Sequence, residues 1–280
     1  DSADIMPEAD PDSEGVWEIP ANVVLNGDYE ELGSEELRNG TFDTDSEWSK
    51  GGTWSISNGT ASIEESGAVV LAQTLTSNLT SGKTYEVVYT ISGYSGSGII
   101  KAQFAGGAIV SGQNRIENGT HTEYLTATAS HTIVRLKALN NNGGFTGSID
   151  NVSVKQVDPN DRWTLGTGWS IEDGKLVGTS VSTQFAQQSL TLTSGTSYEV
   201  TFSITGADTL LNNNSFRYPY DGAVSNINYL PKDSPDGTYT NVFTSTGSSI
   251  LYLGYIDAGT FTGTIDNVTV TEYAIQPQDV

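Results

Sequence analysis

The sequence predicts an all-β protein: two tandem antiparallel β-sandwich domains of the jelly-roll type, preceded by an acidic, mostly extended N-terminal segment. Three observations predict it. Runs that alternate apolar and polar residues recur along the chain, with no long amphipathic helical window between them. That period of two is the period of a half-buried strand. Gly, Asn and Ser cluster between the runs, as turns require. Finally, the phrase FTGSIDNVSV, Phe145 to Val154, is written again as FTGTIDNVTV, Phe261 to Val270. The interval is too long for a solenoid unit and right for a small domain.

Taken in order, residues 1–36 hold twelve acidic residues and no Lys or Arg; the first basic residue is Arg38. Such a segment reads as a solvated acidic leader, or as an arm that orders against a partner subunit through the apolar residues of VWEIPANVVL (Val16 to Leu25). Domain A spans 37–157 and domain B 158–280. GGTWSISNGTA (Gly51 to Ala61) is echoed by GTGWSIEDGKL (Gly166 to Leu176), and LTSGKTYEVVYTISG (Leu79 to Gly93) by LTSGTSYEVTFSITG (Leu192 to Gly206). Within these, Tyr85, Val87, Tyr89 and Ile91 share one strand face, as do Tyr198, Val200, Phe202 and Ile204. VDPND, Val157 to Asp161, reads as a tight linker. Each domain has room for about eight short strands, enough for a jelly roll.

The repeated phrase contains a change of phase. Phe145, Gly147 and Ile149 share one parity, Val152 and Val154 the other. If all face the core, one extra residue must be accommodated at Asp150-Asn151, which is a β-bulge. The second copy requires the same at Asp266-Asn267. The carboxylate and amide at that corner serve either to cap the backbone or to bind a cation with oxygen ligands, such as calcium.

Composition closes several function classes. The chain has no cysteine, so disulfides and thiolate metal sites are excluded. No window reaches the ~18–20 apolar residues of a membrane helix. A net charge of −22 opposes binding to nucleic-acid phosphates. Asp43, Asp45, Glu64 and Glu65 lie in turns and suggest no catalytic carboxylate pair. His121 and His131 lack ligand-spaced partners, no nucleophile elbow is present, and GYSGSG (Gly93 to Gly98) lacks the Lys and helix of a phosphate loop. The chain therefore reads as non-enzymatic.

Sugar recognition calls for aromatic planes and planar polar groups. Trp48, Trp54, Trp163 and Trp169 recur in both copies, so they read as core. The candidate glycan site is the stretch unique to domain B: Phe216, Arg217, Tyr218, Tyr220, Asp221, Asn226 and Tyr229. In SILYLGYI the alternation also sets Leu251, Leu253 and Tyr255 on one face, where domain A is aligned with Arg135 and Lys137. An apolar row replacing charges reads as an assembly face, covered by a neighbouring copy or another protein.

The pattern of NGTF, an acidic residue and Trp, then GW with an aliphatic residue, Y-x-V and G-x-IDNVSV resembles the jelly-roll carbohydrate-binding modules of bacterial glycoside hydrolases. It is more similar to the tandem modules in structural proteins of tailed bacteriophages, marine ones especially; ELRNGTFDTDSEWSKGGTWSISNGTA (Glu36 to Ala61) carries most of this. The resemblance spans about residues 22–273. It implies a virion-surface protein (fibre, tail appendage or capsid decoration) whose partners are other virion proteins or its own copies, with weak glycan contact and no required cofactor. It also implies a structural calcium, with Asp150 matching the family carboxylate and Asn39 to Asp43 supplying the other edge. Domain B keeps Asp266, but Asn160-Asp161-Arg162-Trp163 is expected where NGTF should be, which weakens a second site. Two rivals remain open: a secreted, extracellular targeting region of a polysaccharide-degrading enzyme, and modules that act only as spacers or assembly surfaces.

Overall fold

A computed structural model describes residues 20–65, 67–139, 143–206, 216–218, 228–230, 234–247, 250–254 and 260–273, with backbone only at 65, 216–218, 228 and 229. Every element among them is a strand. The first sandwich lays down β1 (Leu32–Glu35), β2 (Trp48–Lys50), β3 (Ser55–Ser57), β4 (Thr60–Glu65), β5 (Val69–Thr74), β6 (Thr84–Gly96), β7 (Ile99–Ala105), β8 (Val110–Ser111), β9 (Gly119–Thr126), β10 (Ile133–Leu139) and β11 (Phe145–Val157). One antiparallel sheet runs β3-β4-β11-β6-β9, with β1 also on β11; the facing sheet runs β2-β5-β10-β7-β8.

The second sandwich follows with β12 (Thr164–Leu165), β13 (Trp169–Glu172), β14 (Lys175–Val181), β15 (Ala186–Ser189), β16 (Ser197–Thr205), β17 (Phe216–Tyr218), β18 (Asn228–Leu230), β19 (Gly237–Thr244), β20 (Ile250–Leu253) and β21 (Phe261–Glu272). Its larger sheet runs β13-β14-β21-β16-β19 and its smaller one β12-β15-β20, with β17-β18 as a hairpin. The alternation read from sequence sets the cores. Tyr85, Val87, Tyr89 and Ile91 are buried in one sandwich, and Tyr198, Val200, Phe202 and Ile204 in the other. The Tyr85 hydroxyl accepts the Thr80 amide at 2.9 Å and the Tyr198 hydroxyl the Thr193 amide at 3.0 Å, so each LTSG turn is pinned by the tyrosine that follows it.

The phase change in the repeated phrase is a bulge, as predicted. Asp150 pairs Thr90 and Ser153 pairs Val88, so Asn151 and Val152 together face Tyr89. In the second copy, Asn267 and Val268 face Phe202 between the pairs Thr201–Thr269 and Ser203–Asp266. Asn151 and Asn267 carry the left-handed turn at φ 51° and 53°, a conformation asparagine tolerates better than most residues. Both valines return to the core.

What the repeat did not reveal is where the second sandwich begins. Residues 22–31 are not a leader. They complete domain B, and the main contacts that seat them there are repeated in domain A thirteen positions later. Val23 donates its amide to the Val270 carbonyl at 2.9 Å, as Glu36 does to Val154. Leu25 is clamped amide to amide by Gln188, as Arg38 is by Gln73. Gly27 accepts the Val268 amide behind the bulge at 2.8 Å, as Gly40 accepts that of Val152 at 2.9 Å. The Asn26 carbonyl takes the Trp163 indole N–H and the Asn39 carbonyl that of Trp48, both at 2.9 Å. The Tyr29 and Trp163 ring centroids are 5.1 Å apart, as are those of Phe42 and Trp48.

Domain B therefore does contain the NGTF segment, written Asn26-Gly27-Asp28-Tyr29. The expectation that Asn160-Asp161-Arg162-Trp163 replaces it is corrected: Trp163 is the counterpart of Trp48. The chain leaves domain B at Glu31 and returns at Asp158, whose amide bonds the Glu31 carbonyl at 3.0 Å, while Leu32 pairs with Val157. Domain A is thus inserted into a loop of domain B. The expected linker is a knot of hydrogen bonds: the buried Asp158 carboxylate takes the amides of Arg162 and Trp163 and the side-chain N–H of Asn26.

Candidate functional site

The four recurrent tryptophans are buried, as their recurrence implied. The exposed faces must therefore supply any ligand contact. On the smaller sheet of domain B, the outward-facing row differs from the expected one. Leu251 and Leu253 are 2% and 0% exposed and belong to domain B's own core. They form no assembly face, and Tyr255 lies outside the described residues. The register explains the reversal. Gln188, the residue that clamps Leu25, pairs with Leu251, whereas its counterpart Gln73 pairs with Val134. Leu251 is thus equivalent to buried Val134, and Tyr252 to Arg135.

With that alignment, the outer faces of the two equivalent sheets can be compared position by position. Domain A presents Val70, Ala72, Arg135 and Lys137. Domain B presents Phe185, Gln187 and Tyr252; Gly254, at the position of Lys137, is buried, and a Cβ on it would meet the Trp169 ring. Phe185 and Tyr252 are half-buried, with ring centroids 4.9 Å apart and planes inclined by 59°. Gln187 lies opposite Tyr252 across the strand pair. Sequence reasoning missed this pair because it assigned Tyr252 to the wrong face; nothing within Ile250–Leu253 marks the outer side, and the pairing of Gln188 with Leu251 decides it.

The β17–β18 hairpin, from the stretch unique to domain B, borders this face. β17 approaches β20, as β7 does β10 in domain A. The hairpin pairs Phe216 with Leu230, Arg217 with Tyr229 and Tyr218 with Asn228. The side chains of Phe216, Arg217, Tyr218 and Tyr229 are not among those described, and Tyr220, Asp221 and Asn226 lie outside the described residues.

At the proposed calcium corner, the polar groups are already engaged. The Asn39 amide bonds the Thr44 and Ser46 carbonyls and the Thr44 amide. Asp43 takes the Thr41 hydroxyl at 2.8 Å, and Asp150 takes the Asn151 amide at 2.6 Å. Asp266 likewise takes the Asn267 amide at 2.6 Å. Among the described residues, no three His, Cys, Asp or Glu side chains gather to hold a metal. An EDTA-induced fall in melting temperature, absent in Asp150→Ala, is the observation that would establish a calcium there.

Between the sandwiches lies a cleft of about 330 Å³ bordered by Tyr124, Glu86 and Asp173. The Tyr124 hydroxyl donates to the Glu86 carboxylate at 2.9 Å and accepts the Asp173 amide at 2.8 Å, and the Asp173 carboxylate stands 3.2 Å from it. Burial, opposed by the Asp173 amide and aided by the Glu86 carboxylate, raises the Tyr124 phenol above its ordinary value. Two carboxylates therefore do approach each other here, unforeseen in the sequence. The hydroxyl set between them makes the group a clasp that ties β9 to the β13–β14 turn. His121 is tied to the Glu117 carbonyl, and His131 is buried beside Thr128.

No protein-family model and no curated protein matches the chain. Among solved structures, a CBM4 structure aligns over 48% of this chain and 99% of its own, at 16% identity and a TM-score of 0.28. Allantoicase from Saccharomyces cerevisiae aligns over 90% of this chain and 93% of its own, at 11% identity and a TM-score of 0.28. The tandem CBM51 modules of a family 98 glycoside hydrolase from Streptococcus pneumoniae align over 78% and 85%, at 8% identity and a TM-score of 0.24. These likenesses do not bear on what this chain binds.

Proposed function

We propose that the protein is a non-catalytic carbohydrate-binding protein of the virion surface, and that the outer faces of its two smaller sheets make the glycan contacts. The observation that carries the reading is the Phe185–Tyr252 pair with Gln187 beside it. Half-buried rings give a sugar's CH faces an apolar plane, and a neighbouring amide gives its hydroxyls a donor and an acceptor. An open sheet face suits weak contact with a long chain rather than enclosure of a small substrate, and among the described residues no carboxylate pair on it is placed for bond cleavage. The virion placement rests on the likeness of Glu36–Ala61 to phage modules.

Glycan-array screening of the whole chain, followed by affinity electrophoresis on the best ligand, tests the reading. Phe185→Ala and Tyr252→Ala should each weaken binding by about tenfold, the effect of ~1.4 kcal/mol. Near-UV circular dichroism should show both variants folded. No glycan bound by the wild type, or unchanged binding by both variants, overturns it. Immunogold labelling of purified particles tests the location.

A further inference from the structure

The equivalent face of domain A has a different chemistry, and its charges are placed against the balance of the whole chain. Of twelve basic residues, the side chains of Arg217 and Lys232 are not described. Arg38, Lys50, Lys83, Arg115 and Arg162 each meet a carboxylate. Three of the remaining five, Lys101, Arg135 and Lys137, sit together on the outer face of β2-β5-β10-β7-β8. Lys101 and Lys137 are directly opposite each other on β7 and β10, an arrangement that destabilises a sheet unless something neutralises it. No Asp or Glu occupies an outward position of this sheet, in a chain of net charge −22.

Arg135 is also held in place. Its Nε donates to the Gln103 side-chain oxygen at 2.8 Å, and the Gln103 amide donates to the Ser111 hydroxyl at 2.7 Å. Gln103 is 4% exposed, so this is a built support beneath a partly exposed cation. The bond at Nε leaves the two terminal nitrogens of the fork, which make no ion pair among the described residues. That pair of donors matches a carboxylate. Arg135 and Lys137 are two residues apart on one strand face, so the cationic rows repeat at about 7 Å along β10. Repeated cations suit a ligand with repeated anions better than a single ion.

We propose that this face binds an acidic polysaccharide through its carboxylates: Arg135 takes one by its fork, and the Lys101–Lys137 pair takes a second along the same chain. The proposal rests on the reading that these sheet faces contact glycans, and it gives the two modules different ligands. Domain B has Tyr252 and Gly254 where domain A has Arg135 and Lys137, and we assign it a neutral ligand. The acidity of the remaining surface would repel a polyanion and confine it to this strip.

The test is affinity electrophoresis of the whole chain in gels holding polygalacturonate, dextran sulfate or a neutral glucan, at low and high salt, with a single-stranded oligonucleotide as competitor. The wild type should be retarded by polygalacturonate, and the retardation should fade as salt rises. Lys101→Gln with Lys137→Gln should weaken that binding by about tenfold or more, with melting temperature unchanged or raised. Arg135→Lys, which keeps the charge but loses the fork, should weaken it several-fold. Unchanged binding by the double variant, equal retardation by dextran sulfate, or displacement by the oligonucleotide overturns the proposal. Neutral-glycan binding that depends on Tyr252, without polygalacturonate binding, refutes this proposal alone. Failure to bind any sugar refutes the broader reading with it.

Discussion

Tyr29 carries a hydroxyl into a position that its counterpart Phe42 fills with a bare ring. Both side chains are 1% exposed, and the Tyr29 hydroxyl has no hydrogen-bond partner among the described residues. A buried, unsatisfied hydroxyl costs about 1–3 kcal/mol, so Tyr29→Phe is expected to raise the stability of domain B, read as a higher denaturation midpoint. Burial, with the Asp266 and Asp158 carboxylates adding to it, also pushes this phenol well above its ordinary value. Burial and Glu123 push the Tyr89 phenol up as well. Once the pH passes about 10, an unfolded chain releases these protons and the folded one keeps them. The stability they contribute is intact below that pH and declines above it. Melting scans either side of about pH 10 should show this decline, and Tyr29→Phe should make it shallower for domain B. An identical slope in both proteins would mean that Tyr29 is not a buried phenol.

At the scale of elements, the bulge and the loop behind it form one unit. A Cβ on Gly40 would collide with the Val152 carbonyl, and a Cβ on Gly27 with that of Val268. Backbone cannot yield as a side-chain tip can, so each Gly→Ala should cost at least about 2 kcal/mol. Gly40→Ala should lower the melting of domain A, and Gly27→Ala that of domain B. If Gly27→Ala lowers nothing in domain B, the N-terminal segment does not pack there. Asp150→Ala removes one short bond at a partly exposed corner and should cost about 1 kcal/mol. The bulge was legible in the sequence because apolar residues fall on both parities of one strand, and only an inserted residue reconciles them. The orientation of β20 was not legible, because Ile250 and Tyr252 are as apolar as Leu251 and Leu253. On β10, Arg135 and Lys137 mark the outer face; β20 has no such marker, and pairing with Gln188 decides it.

At the scale of the molecule, one domain interrupts another. The sequence hid this because NGDY and its partner Trp163 are separated by the whole of domain A, and because the acidic residues around Val23, Val24 and Tyr29 gave the segment the composition of a tail. Insertion is tolerated since the departing and returning strands, at Leu32 and Val157, are paired. The Lys83–Asp161 ion pair and the Tyr124 clasp then hold the two sandwiches together beside that stem. Such an arrangement gives the domains unequal independence. Residues 32–157 contain every strand and core residue of domain A and should melt cooperatively alone. Residues 158–280 lack Val24, Tyr29 and the main-chain bonds to Val268 and Val270. The measurement that tests this most directly is thermal unfolding of 158–280 with and without a synthetic peptide of residues 20–31. The account predicts a weak or absent transition for the fragment alone and a sharp one, rising with peptide concentration, when the peptide is added. A fragment that melts as domain B does in the whole chain, indifferent to the peptide, would contradict it.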